Sequence, residues 1–150
     1  MKNRKVEIKI MNKSASRELA FKLLYSTQIQ KGMQEEQFEL FCQNNEINEE
    51  KVKKYIKDIL FGVKSNEERI NKLISSNLKK GWNIERISKV DITLLQMGIY
   101  EIIEKNIPYK IIVNEVVELA KKYAEDSSPS FINGILASII KQNNMENCEN

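Results

Sequence analysis

The chain has 150 residues, a net charge of +3, 41% hydrophobic and 30% charged residues, and no histidine. That length buries one core without staples, and Cys42 and Cys148, far apart with the second in a polar tail, support neither a disulfide framework nor a thiolate metal cluster. Without histidine the commonest general base and metal ligand are gone; no apolar run nears the roughly 18 residues of a membrane span, and no signal-peptide core opens the chain. A soluble protein of the reducing cytoplasm, with no catalytic residues, cofactor or metal, is expected.

Charge gathers at one end. Lys2, Arg4, Lys5, Lys9, Lys13 and Arg17 are opposed over residues 1–17 by Glu7 alone, a net +5. A solvated tail over residues 1–12 accounts for this, and so does a polyanion site. Five glycines and two prolines leave few breaks, and apolar residues recur at spacings of three and four, which predicts an all-α bundle of about six to seven helices.

"NKSASRELAFKLLYSTQIQKG" reads as the first helix, capped by Ser14 or Ser16, stopping where Lys31 precedes Gly32, and burying Ala20, Leu23, Leu24 and Thr27. Lys13 and Arg17, four residues apart, share a side at the helix end where the dipole disfavours cations. Phosphate is itself drawn to a helix N-terminus, so the pair suits a nucleic-acid backbone. "QEEQFELFCQNN" forms a second helix with Phe38, Phe41 and Cys42 inward. From Asn48 an apolar stripe nearly 30 residues long, Val52 to Leu78, runs to Lys79, Lys80 and a glycine stop at Gly81, with Gly62 inside it for close packing or a slight bend.

"WNIERISKVDITLLQMGIYEIIEK" is apolar nearly all round and predicts a helix that others must wrap. After Pro108, "YKIIVNEVVELAKKYAED" buries Ile112, Val116, Leu119, Ala120 and Tyr123. "SSPSFINGILASIIKQ" makes the last helix, with Ser128 as cap, Pro129 in the first turn, and Phe131, Ile135, Leu136, Ile139 and Ile140 inward. A polar tail over residues 143–150 is expected to fray. Carboxylate pairs such as Glu35 with Glu36 sit at helix starts, where the dipole favours them, and no glycine-rich phosphate loop occurs. Binding is the function class left. Tyr25, Tyr109 and Phe131 are candidate stacking platforms for an unpaired base, and each also suits a core.

"SRELAFKLLYSTQIQ", "SKVDITLLQMGIYEI", "IPYKIIVNEVVELAKKYAED" and "SFINGILASI", in order and in register, resemble the NusB family of bacterial transcription antitermination factors from about Met11 to Gln142. The resemblance implies a NusB-like domain over residues 13–142 made of two packed helical subdomains. It also implies binding of boxA single-stranded RNA in ribosomal RNA leader transcripts together with the ribosomal protein NusE, in a complex with other Nus factors and RNA polymerase. Some members pair as homodimers. Carried over, the family's basic start falls on "KSASR", where Lys13 and Arg17 keep a cation and Ser14 and Ala15 do not. Phe131 matches an aromatic near the RNA, with Asp126 and Ser127 in the adjoining loop, while Tyr25 and Asp91 match the RNA and NusE surface. Ile92 and Gln96 stand where the family is often basic.

Residues 1–10 lie outside the resemblance. Either Met11 is the start or the extension supplies the cations that "KSASR" lacks. With two or three phosphate contacts the single-strand salt slope is only about −2, so useful affinity calls for a partner. Two other readings remain: a NusB-like RNA-binding domain of a ribosomal RNA cytosine methyltransferase, and a helical protein-interaction module that binds no RNA.

Overall fold

The computed structural model describes residues 13–149, and side chains through residue 143; the basic extension over residues 1–12 lies outside the described residues. Seven α-helices and one 3-10 turn follow in chain order: α1 (Lys13–Ile29), α2 (Gln34–Asn44), α3 (Glu50–Ser65), α4 (Glu67–Ser76), the turn Ile84–Arg86, α5 (Lys89–Glu104), α6 (Tyr109–Tyr123) and α7 (Ser128–Glu149). The described residues contain no strand, as the spacing predicts. The chain forms two compact units, one ending at Phe61 and the other beginning at Gly62, so the boundary falls inside α3.

In the first unit α1 and α2 pack together. Ala20, Leu23, Leu24 and Thr27 are buried as expected, and so are Ser16, Arg17 and Phe21. The helix stops at Ile29, earlier than Lys31, and Gly32 lacks the positive φ of a left-handed cap. Gln37 closes this end instead, its Nε2 donating to the Gln30 carbonyl at 2.8 Å. Phe38 and Cys42 are buried on α2, while Phe41 is half-buried.

The long stripe after Asn48 is two helices. Asn66 ends α3, its Nδ2 donating to the Gly62 carbonyl at 2.8 Å in competition with the helical ladder. Asn77 likewise ends α4 well before Gly81, with its Nδ2 donating to the Leu73 carbonyl at 2.8 Å. Gly81 serves the connection that follows, at φ +92°, where any side chain would be strained.

The second unit is built around α5, in which every residue from Thr93 to Ile102 is buried. Helices α4, α6 and α7 pack on it. Two glycines permit the closeness. A Cβ at Gly98 would meet Val116 Cγ2 at 3.2 Å and Leu136 Cδ1 at 3.4 Å, and one at Gly62 would overlap the Tyr100 ring. On α7, Ile132, Leu136 and Ile139 are fully buried and Phe131 is only half so. The helix continues through the polar sequence expected to fray, as far as Glu149.

One polar contact fixes where α7 starts. Ser88 caps α5, accepting from the Asp91 backbone N–H at 3.1 Å. The Asp91 carboxylate, 9% exposed, accepts from the Ser128 hydroxyl at 3.0 Å through Oδ2, while its Oδ1 is buried without a partner among the described residues. Ser128 is thus inside the helix and spends its hydroxyl on α5, leaving Ser127 at the capping position; the Ser127 carbonyl accepts from the Phe131 N–H. Burial pushes the Asp91 carboxyl above the usual range and Glu125 adds to the rise, whereas Ser128 and Ser88 hold it down.

Two outcomes follow from this packing. Gly62→Ala should lower stability by about 1–3 kcal/mol in denaturant unfolding, because the Tyr100 ring must move; an unchanged midpoint would contradict the close contact. Because Asp91 takes up its proton more readily folded than unfolded, its contribution is fully present below the unfolded pKa and declines as pH rises through the folded one. Ser128→Ala removes a donor to the charged form, so it should cost about 1.5–3 kcal/mol at neutral pH and less in acid. Unfolding curves at both pH values check this, and an equal loss at both would contradict it.

Candidate nucleic-acid interface

In the first unit, the start of α1 lies over Tyr55 of α3. Lys13 Nζ sits 4.2 Å from the Tyr55 ring centroid and Arg17 Cζ 5.9 Å, so the two cations do share a side. They differ in access: Lys13 and Ser14 are exposed, whereas Arg17 is 1% exposed. Lys13 is open to a phosphate, while the Arg17 guanidinium is enclosed and braces the ring against which Lys13 rests. Tyr25, the expected partner contact on α1, is half-buried and stacks on Phe21 with centroids 6.0 Å apart at 27°.

The other sequence-predicted residues belong to the second unit. Asp91 is buried at the start of α5, so its carboxylate serves Ser128 and is not presented to a partner. Asp126 and Ser127 are exposed in the loop before α7. Phe131, one turn into α7, packs against Trp82 with ring centroids 6.3 Å apart at 33°.

This pair borders a groove of about 650 Å³ between residues 77–82 and α7, lined by Asn77, Lys79, Trp82, Ser127 and Phe131 among others. Its floor is pinned by Ser138, whose hydroxyl donates to Asn77 Oδ1 at 2.6 Å. Periodicity puts Trp82 at the head of a helix that in fact begins at Lys89, and both Trp82 and Asn77 lie outside the helices. The signal available was "KKGWN", a tryptophan set directly between a glycine and an asparagine after two lysines.

The groove and the Lys13 end offer cations, hydroxyls and aromatic faces, the chemistry of phosphate contact and base stacking. Among the described residues no group of His, Cys, Asp or Glu comes together to hold a metal ion, and no helix is long and apolar enough to cross a membrane.

The NusB family model matches residues 14–141. Transcription antitermination protein NusB of Clostridium acetobutylicum is 47% identical over 131 residues, 87% of this chain and 96% of that protein. The NusB proteins of Clostridium novyi and Acetivibrio thermocellus are 45% and 44% identical, covering 87% of this chain in each case and 99% and 90% of those proteins. Among solved structures, Thermotoga maritima NusB aligns with a TM-score of 0.79 at 32% identity, over 87% of this chain and 92% of that one. A NusB chain crystallised with NusE and double-stranded RNA aligns with a TM-score of 0.78 at 26% identity, over 86% of this chain and 96% of that one. With the family model spanning nearly all of the described helical sequence, and relatives well above 30% identity along most of their own length, the chain belongs to the NusB family.

Proposed function

We propose that the chain is an RNA-binding transcription antitermination factor that acts with NusE on boxA single-stranded RNA of ribosomal RNA leaders, joining other Nus factors on RNA polymerase. The observation that carries this reading is the likeness, over 86% of the chain, to a NusB crystallised with NusE and double-stranded RNA. The named relatives are antitermination proteins matched along 90 to 99% of their length, which favours this reading over a domain of a methyltransferase. The protein works by binding and not by catalysis. Lys13 and Ser14 contact phosphate at the start of α1, with Arg17 as their support. Asp126, Ser127 and Phe131 contact RNA at the start of α7. Asp126 would repel phosphate, but a carboxylate accepts from a base amino group. Tyr25 borders the NusE surface, and Asp91 serves it indirectly by fixing the loop before Ser128.

Among these contact residues Lys13 is the exposed cation, so the RNA should bind weakly alone. Affinity for boxA RNA should rise at least about tenfold, ~1.4 kcal/mol, when NusE is present. Lys13→Glu should weaken binding and reduce the salt slope by roughly 0.7, the value of one single-strand phosphate contact. Filter binding across salt concentrations measures both; equal affinity with and without NusE would contradict the cooperative reading.

A further inference from the structure

We infer that the groove beside Trp82 holds one unstacked nucleobase of the bound single-stranded RNA, with the Trp82 indole as its stacking face and Lys79 toward the flanking phosphate. This rests on the RNA-binding reading and names a subsite within it.

Trp82 is 52% exposed although it is among the most apolar side chains of the protein. It packs against Phe131 at 33°, and half of its surface is open. An exposed aromatic face stacks any base, because every base has a π-face. The groove has the size of a small-ligand site, about 650 Å³, within the usual range of roughly 300–1,000 Å³. Its charge suits a polyanion: Lys79 lines it, Lys80 is exposed next in the chain, and no carboxylate is among the lining residues. The hydroxyls of Ser127 and Ser130, both exposed, stand at its rim to meet base edges.

Gly134 supplies an independent observation. It lies inside α7, where glycine costs ~1 kcal/mol against alanine. Gly62 and Gly98 are explained by neighbours too close for a Cβ, but a Cβ at Gly134 would meet nothing within 4 Å. Packing gives no reason for this glycine. Its position does: Gly134 lines the groove, and the missing side chain keeps that wall flat and open.

The chain contains a single tryptophan, so a fluorine carried by 5-fluorotryptophan reports on Trp82 alone even in a complex with NusE. Fluorine NMR and the anisotropy of labelled RNA would be followed together while boxA RNA is added to the chain with NusE. The fluorine resonance should shift as RNA binds. Gly134→Leu, which fills the groove while improving helix propensity, should abolish the shift and weaken RNA binding at least about fivefold. An RNA with an abasic site at the docked position should do the same to the native chain. RNA binding with an unmoved resonance, and unweakened by Gly134→Leu, would overturn the base site while leaving RNA binding intact. Absence of binding by anisotropy would remove the RNA-binding reading and the base site with it.

Discussion

The burial of α5 on every side governs the second unit. A helix buried without a break from Thr93 to Ile102 has no face left for water, so α4, α6 and α7 must cover it, and each must come close. Gly98 and Gly62 are where that requirement is sharpest, with Val116, Leu136 and Tyr100 occupying the space a Cβ would need. Such packing leaves little freedom to slide, because interiors at crystal-like density resist even one added methylene. The connection between α4 and α5, and the loop before α7, are therefore held at their ends by rigid elements.

Two polar contacts turn that rigidity into a surface. Asp91 receives Ser128 at the start of α7, and Asn77 receives Ser138 two to three turns further along. The first sets where α7 begins and hence where Ser127 and Phe131 stand; the second ties α7 to the residues leading to Trp82. A buried carboxylate with one unpartnered oxygen is a cost in stability, and the Ser128 bond it accepts gives it a role in position. The first unit presents its cation more simply, with Lys13 resting on the Tyr55 ring above the enclosed Arg17.

Helix content, the all-round burial of α5 and the core stripe of α1 were legible, because they depend on periodicity, which the sequence carries directly. Helix ends were less so. Glycine suggests the stop after Lys31 and Lys80, but Asn66 and Asn77 end α3 and α4 through side-chain bonds to carbonyls that compete with the ladder. The (i, i+4) rule placed Lys13 and Arg17 on one side correctly and could not foresee that only Arg17 would be buried. Trp82 escaped because it lies in a loop and meets Phe131 from 49 residues away in sequence, a contact that only the fold creates.

The central claim is that this framework presents its RNA surface at the start of α7 and the loop facing it. Backbone-amide and indole N–H NMR of the chain in complex with NusE, recorded as boxA RNA is added, tests it most directly. The predicted result is a set of shifted resonances at Lys79, the Trp82 indole and residues 127–134. Perturbations confined to α2, or to the α4 face that carries Glu68 and Lys72, would contradict it.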